Sequence, residues 1–248
     1  MVWILKDFIS FIIYIFIIPF KKNKSAIVVY HGVGEETYVG DPLKINVSPS
    51  LFEKQIGYLA KFKDRYALTF DDGFESIYIN AFPILKRHRM NATLFITADF
   101  IEHKINFDHF FNYNYSPAPL SWGQIKIMYT HGIEVGSHSL SHKNIASLDE
   151  GLCYKEAFVS KCRIEEKVGC RVRYFSYPFG NKGSFNRATE NILKKIGYEK
   201  AYVNIMGMDN ASEEPFRIRR IRIYSTDNML RFKMKVSGAY NWVDRIVR

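Results

Sequence analysis

Cysteine is scarce in this sequence, and the three that are present do not form a familiar pattern. Cys153, Cys162 and Cys170 are an odd number, so they cannot close into a disulfide framework, and no Cys-x-x-Cys pair occurs. We interpret them as reduced structural thiols, which favours a reducing compartment. Internal repeats, low-complexity tracts and nucleic-acid-binding motifs are also missing. These absences exclude a disulfide scaffold and a repeat protein, and they argue against nucleic acid as a partner.

Acidic residues are outnumbered by basic ones, 25 to 35, and the formal net charge is +10. Such a charge favours anionic partners, and membrane headgroups or phosphate-linked substrates fit best here. A generally basic, soluble surface is the alternative. The 248 residues, 47% of them apolar, suit one domain of α/β or barrel type. Nothing in the sequence indicates an oligomeric state.

Long apolar runs are confined to the N-terminus, where residues 8–20 read FISFIIYIFIIPF. This run is shorter than a usual membrane span of about 17–25 residues, but counting back to Met1 gives a long enough helix. No small-residue cleavage site follows it, which argues against a signal peptide. We therefore predict an uncleaved membrane anchor with a basic flank over residues 1–24, spanning or monotopic. A buried core helix is the alternative.

The basic flank of this segment consists of Lys21, Lys22 and Lys24. By the positive-inside tendency, the main domain, predicted over residues 25–248, would face the cytoplasm. The extracytoplasmic side is the alternative, because the inference depends on very few charges.

Beyond residue 25, short apolar runs alternate with amphipathic stretches of helical period. Strands are predicted at residues 26–30, 66–70, 92–97, 133–135, 174–177, 201–203 and 218–224, with helices between most of them. This alternation is typical of a parallel sheet or an α/β barrel. Polar motifs follow several of the strands directly, where barrels of this type build their active sites.

Two of these motifs predict a metal site. Asp71 and Asp72 follow an apolar strand, so one carboxylate could bind a metal while the other stays free, although Asp-Gly is also common in turns. His138 and His142 are four residues apart and could converge on one ion; solvated or core histidines are the alternative. With Asp72 they complete a His-His-Asp set that leaves a position open for water. We predict a divalent metal, Zn²⁺ first, with Co²⁺ or Ni²⁺ as alternatives.

With these motifs in this order, the sequence resembles the polysaccharide deacetylase family, the chitooligosaccharide deacetylase homology domain. Thr69-Phe-Asp-Asp-Gly73 matches its first motif and His138-Ser-Leu-Ser-His142 its second. Phe175-Ser-Tyr-Pro-Phe-Gly180 matches the third in a variant form. The resemblance spans about residues 26–224 and implies an α/β fold, a distorted (β/α) barrel with fewer than eight strands.

The resemblance also implies roles for residues. Asp72, His138 and His142 become metal ligands, and Asp71 becomes the general base. A backbone N–H near Phe179, within the turn Tyr177-Pro178-Phe179-Gly180, becomes the donor to the oxyanion.

The sequence departs from the family pattern at two places. Ser176 stands where the third motif usually carries an arginine, and no histidine follows His142, so the usual general acid is missing. Arg220 could orient Asp71 instead, and His31 could donate the proton. The alternatives are a surface charge for Arg220 and a capping or core role for His31.

The predicted function is therefore the metal-dependent removal of an N-acyl group, acetyl or formyl, from an amino sugar. The anchor and the basic charge favour a surface polysaccharide or a lipid-linked glycan precursor as substrate. A glycan-binding pseudo-enzyme is one alternative, because two usual residues are absent. Hydrolysis of an O-acetyl ester or a non-sugar amide by the same site is another, because a leaving alkoxide needs less help from an acid.

Overall fold

Seven parallel strands form one curled sheet, a half-barrel, in the computed structural model of this protein. The structure describes residues 2–16, 25–34, 43–107 and 117–243. The strands are β1 (Ala26–Tyr30), β2 (Gly32–Val33), β3 (Asn46–Val47), β4 (Tyr66–Phe70), β5 (Thr93–Ile96), β6 (Glu134–Ser137), β7 (Tyr174–Ser176), β8 (Lys200–Tyr202) and β9 (Ile221–Arg222). Their order in the main sheet is β8-β7-β6-β5-β4-β1-β9, while β2 and β3 pair separately. The prediction of an α/β fold with fewer than eight barrel strands is thus confirmed at the level of a curled parallel sheet.

Helices lie between the strands and cover the sheet. They are α1 (Val2–Phe16), α2 (Pro49–Leu59), α3 (Phe82–His88), α4 (Ala98–Ile101), α5 (Trp122–Thr130), α6 (Glu150–Val168), α7 (Arg187–Ile196) and α8 (Met229–Val236). Their starts are encoded locally: the Ser48 side chain caps α2, and Ser121 and Asn186 form capping boxes at α5 and α7. A π-helical turn over Ile77–Ala81 gives way to α3 at Phe82, and Pro83 lies in the first turn of that helix.

The last strand is shorter than predicted, because the chain bends where residues 218–224 were expected to run straight. Ile218 pairs with Tyr202 of β8, whereas Ile221 pairs with Val28 of β1 on the opposite edge. Residues 218–222 therefore link the two edges of the curled sheet. Arg220 lies at the middle of this link and is fully buried.

The N-terminal prediction needs a correction. Among the described residues, no helix is long and apolar enough to cross a membrane, so the spanning form of the anchor is not borne out there. Instead, α1 has 15 residues and packs against α8, with Ile13 and Tyr14 against Met234, Ala239 and Tyr240. Residue 1 and residues 17–24 lie outside the described residues. The monotopic form, the domain boundary and the side of the membrane stay predictions.

The core beneath β1 and β4 is aromatic and tightly packed. The ring of Phe52 on α2 is fully buried, 5.0 Å from the ring of Tyr30 and 6.0 Å from that of Phe70. Tyr30 and Phe70 are the last residues of the two strands that precede His31 and Asp71. The aromatic cluster therefore supports the strand ends that carry two of the predicted site residues.

Replacing Phe52 by alanine should destabilise the protein by about 3–5 kcal/mol, because the cavity cannot collapse between two strands. Urea denaturation measures the loss. Phe62→Ala is the matched control, since that ring is 42% exposed and should cost less than about 1 kcal/mol. Equal losses for both variants would contradict this description of the core.

Candidate metal centre and active site

Parallel pairing brings the predicted motifs together at one end of the sheet. Tyr30 pairs with Phe70, so His31 and Asp71 leave neighbouring strands at the same level. Ile96 pairs with Ser137, and Ser176 pairs with Tyr202, which places His138 and the third motif at the same end of the sheet. Because the carboxyl ends of parallel strands meet there, residues far apart in sequence share one site.

Asp72, His138 and His142 form one cluster, with a possible ligand atom from each lying within 4.8 Å of the others. The Nε2 atom of His138 is 3.4 Å from Asp72 Oδ1, and that of His142 is 3.5 Å away. These separations fit a shared ion, because two ligands about 2.1 Å from a tetrahedral zinc lie about 3.4 Å apart. The side chains are almost completely buried, and two imidazoles with one carboxylate make a donor set that suits a catalytic divalent metal. The residues present therefore fit the predicted cofactor.

The orientation of His138 is fixed from behind. Its Nδ1 lies 2.8 Å from the carbonyl oxygen of Ser176, to which the ring N–H donates. This contact leaves Nε2 directed at Asp72. Metal-binding histidines are commonly oriented in this way, by a carbonyl oxygen that accepts from the ring nitrogen that does not bind the metal. The third motif thus contributes to the metal site through its backbone.

The loop from His138 to His142 is held by a residue that sequence reasoning missed. Glu156 of α6 accepts hydrogen bonds from the backbone N–H of Leu140 (3.1 Å) and Ser141 (2.9 Å), and from the Ser141 hydroxyl. Within the loop, the backbone N–H of His142 donates to Ser139 Oγ at 2.9 Å. In the sequence, Glu156 is one of several glutamates of a predicted helix, and nothing local distinguishes it from the exposed ones. Only the structure shows that it is buried.

Backbone strain is concentrated in the same motifs. Seven non-glycine residues have positive φ in the described part of the chain, and four of them, Asp72, Ser139, His142 and Phe179, belong to the three motifs. Such conformations persist only where the surroundings enforce them, and they are enriched at functional sites. After Asp72, Gly73 adopts φ +97°, where a Cβ atom would lie 2.9 Å from Ile101.

Asp71 is held by a buried two-point ion pair with Arg220. The guanidinium Nη1 and Nη2 atoms each lie 2.7 Å from a carboxylate oxygen, and both side chains are fully buried. Four further acceptors surround the guanidinium: Thr69 Oγ1 lies 3.2 Å from Nη1, Ser176 Oγ (2.9 Å) and Asn204 Oδ1 (2.7 Å) face Nη2, and the carbonyl oxygen of Val203 lies 3.2 Å from Nε. Six acceptors thus share five N–H groups. Arg220 is therefore no surface charge. Every donor of its planar group has an acceptor, as a buried arginine requires.

The departure at the third motif has a structural explanation. Ser176 Oγ lies 3.3 Å from Asp71 and accepts from Arg220. The short side chain therefore leaves room for the guanidinium of Arg220, which comes from the segment between β8 and β9. Asn204, which sequence reasoning did not single out, is bonded to both sides of this site. Its Oδ1 accepts from Arg220 and its backbone N–H donates to the Gly180 carbonyl at 2.8 Å.

The charges of the site favour an ionised Asp71. Burial alone would raise its pKa, but the charge of Arg220, with that of His138, outweighs burial and holds the pKa below the ordinary value. Burial likewise opposes the ionised form of Asp72, yet the hydrogen-bonded His138 and the charges of the neighbouring imidazoles hold the pKa of Asp72 well below its usual range. Both carboxylates are thus anionic near neutral pH.

The pKa of His138 shows the opposite shift. Burial disfavours its charged form, but the charge of Asp71 and the hydrogen bond to Asp72 raise the pKa above the ordinary value. A cation entering the site would therefore compete with protons, and binding should weaken as the pH falls.

His31 lies close enough to the two carboxylates for its charge to lower the pKa of both Asp71 and Asp72. Its side chain is partly exposed, and its buried Nδ1 has no hydrogen-bond partner among the residues that the structure describes. The structure therefore places His31 beside the predicted base and metal site, at the predicted strand exit.

The turn after β7 is divided between core and site. The Tyr177 side chain is buried between Phe175 and Phe185, so it lies in the core rather than over the metal site. The Phe179 ring is 46% exposed and lies 4.9 Å from the ring of His142. Gly180 has φ +62°, and a Cβ atom there would lie 2.5 Å from the backbone nitrogen of Asn204. This close approach fixes the turn against the segment that follows β8.

Solved structures of deacetylases share this architecture. Streptococcus pyogenes deacetylase PplD, in complex with acetate, superposes with a TM-score of 0.71 over 86% of this chain and 98% of that one, at 20% identity. IcaB from Ammonifex degensii gives 0.69 over 88% and 99%, also at 20% identity. The chain therefore has the fold of these two proteins.

The chain belongs to the polysaccharide deacetylase family, whose model matches residues 60–201, more than half of its length. YxkH of Bacillus subtilis (strain 168), which is assigned to the polysaccharide deacetylases, is 28% identical over 156 residues, 63% of this chain and 50% of that protein. The chain thus spans about half the length of that relative. The poly-β-1,6-N-acetyl-D-glucosamine N-deacetylase of Staphylococcus aureus (strain MRSA252) is 25% identical over 224 residues, covering 75% of this chain and 73% of that one.

Removing the Glu156 carboxylate should weaken metal binding about 10–100-fold, the usual effect of losing a group that positions the ligands. Glu156→Ala would free the loop that carries His142, and competition with a chelator for Zn²⁺ or Co²⁺ measures the affinity. Glu150→Ala, an exposed position on the same helix, should leave it unchanged. Unaltered affinity in Glu156→Ala would show that the loop does not depend on this clamp.

Proposed function

We propose that this protein removes an N-acetyl or N-formyl group from an amino sugar in a surface polysaccharide or a lipid-linked glycan precursor, in a metal-dependent reaction. The observation that carries the proposal is the pairing of a His-His-Asp cluster with a separately held, ionised carboxylate next to it. Hydrolysis of an amide needs both an electrophilic centre and a base, and the site offers both. The N-deacetylase activity named for the S. aureus relative supports an N-acylated glucosamine polymer as substrate.

In this proposal Asp72, His138 and His142 hold the divalent ion, Zn²⁺ by preference, which supplies a Lewis acid beside the amide carbonyl and the attacking water. Asp71 takes the proton from the water as its oxygen adds to the carbonyl carbon. Arg220 keeps Asp71 ionised and fixes both carboxylate oxygens through its two hydrogen bonds.

The charge that develops on the carbonyl oxygen needs a donor in the turn after β7. By resemblance to the family we assign this role to a backbone N–H near Phe179, whose ring lies 4.9 Å from that of His142.

His31 supplies the proton that the leaving nitrogen requires. When the C–N bond breaks, the leaving nitrogen accepts this proton and the amino sugar is released. The carboxylic acid formed from the acyl group and the water is the second product. We assign this role to His31 because it follows β1 and lies beside both carboxylates.

The decisive test offers N-acetylated β-1,6-glucosamine oligomers, chito-oligomers and lipid-linked N-acetylglucosamine to protein loaded with Zn²⁺ or Co²⁺. We expect release of acetate that a chelator abolishes. Asp71→Asn should lower the rate by roughly 10²–10⁴-fold, whereas Asp64→Asn, at an exposed position, should not. A folded, metal-loaded protein that releases no acyl acid from any substrate would favour a glycan-binding pseudo-enzyme and sink the proposal.

The role of His31 has its own signature, because a good leaving group needs no proton. His31→Gln should slow hydrolysis of the sugar amide by roughly 10²–10⁴-fold but that of an aryl acetate by less than about tenfold. His103→Gln, at an exposed position, is the matched control. Equal losses on amide and ester would contradict the assignment.

A comparison of O-acetylated with N-acetylated sugars addresses the second candidate function, hydrolysis of an O-acetyl ester. An ester releases an alkoxide, which needs less help from an acid than an amine does. A wild-type protein that hydrolyses O-acetylated sugars at least about tenfold faster than N-acetylated ones would favour the esterase.

A further inference from the structure

Asp7 and Ser10 of α1 face the protein, together with Ile13 and Tyr14, whereas six large apolar side chains of the helix are exposed. Asp7 binds Arg231 on α8, with 3.2 Å between Arg231 Nε and Asp7 Oδ1, and it also accepts from the hydroxyl of Tyr240. Ser10 is fully buried and accepts from the indole N–H of Trp242 at 3.1 Å. A surface helix of a protein in water normally has the reverse arrangement.

The outward face is continuous and apolar. Its side chains recur at helical spacing and are each at least 40% exposed: Leu5, Phe8, Phe11, Ile12, Ile15 and Phe16. We call this set the α1 face. Because Asp7 and Ser10 are bonded on the inner side, the α1 face carries neither of them.

The geometry of α1 favours an in-plane position. One side of the described helix is fixed along α8 by the Asp7–Arg231 ion pair and by the packing of Ile13 and Tyr14. Such a helix can place its free side in the headgroup and acyl boundary while the domain stays outside.

The charges near α1 select the kind of surface. Lys21, Lys22 and Lys24 follow the helix in the sequence. The whole chain carries +10. This positive charge complements anionic headgroups, whereas a second copy of the chain would bring a like charge to the same face.

We propose that the α1 face binds an anionic lipid bilayer in the plane of its surface. The phenylalanines enter the interface, and the net positive charge of the chain favours the anionic headgroups. This attachment is independent of the catalytic proposal, since none of the residues involved belongs to the metal site.

The full chain is tested by sedimentation with vesicles of phosphatidylcholine alone or with phosphatidylglycerol added. Binding should be at least about tenfold tighter with the anionic lipid and should weaken with salt. The double variant Ile12→Asp and Phe16→Asp should lose roughly tenfold or more in affinity, since two side chains leave the interface. Phe158→Asp, at a 40% exposed position on α6, is the control and should bind like the wild type.

Several outcomes would overturn the inference. These are failure of the wild type to bind anionic vesicles, equal binding to both vesicle types, or full binding by the double variant. A dimer in light scattering that the double variant converts to a monomer, without vesicle binding, would assign the α1 face to a second copy instead. The thermal unfolding temperature of each variant must match that of the wild type. If the double variant unfolds, the single variant Phe8→Asp takes its place in the binding test.

Discussion

The buried ion pair between Asp71 and Arg220 is the contact on which the rest of the site depends. It joins β4 to the bent segment that links the two edges of the curled sheet, so the same interaction orients the base and ties the sheet together. A charge pair without solvent contact is stable only when each remaining donor is satisfied. Thr69, Ser176, Val203 and Asn204 meet that need for Arg220. Loss of the arginine would leave a buried, uncompensated carboxylate beside the metal site.

The metal cluster is held in place by contacts outside the three ligands. The Ser176 carbonyl fixes the ring of His138, and Glu156 fixes the loop that leads to His142. Positive φ at Asp72, Ser139 and His142 shows that the backbone adopts conformations it would avoid without these supports. The cluster is therefore preorganised by groups outside the three candidate ligands.

The variant third motif and the absent C-terminal histidine find a joint explanation in the topology. The residues that follow parallel strands meet at one end of the sheet, whatever the order of the strands in the chain. An arginine from the link after β8 can thus occupy the space that Ser176 leaves, and the histidine that follows β1 can lie beside the base. Membership of the polysaccharide deacetylase family is shown by the match over residues 60–201. The proposed roles of Arg220 and His31 rest on where this fold puts them.

Sequence alone determined the elements and the motifs, because both are local. The helix starts at Ser48, Ser121 and Asn186 follow from caps, and β4 agrees with its apolar run residue for residue. Asp72, His138 and His142 were recognisable by type and spacing. Only the tertiary structure decided that Arg220 is buried against Asp71, that Glu156 and Asn204 brace the site, and that large apolar side chains of α1 are exposed. Those features depend on contacts between residues up to 233 positions apart, and no local pattern specifies such contacts.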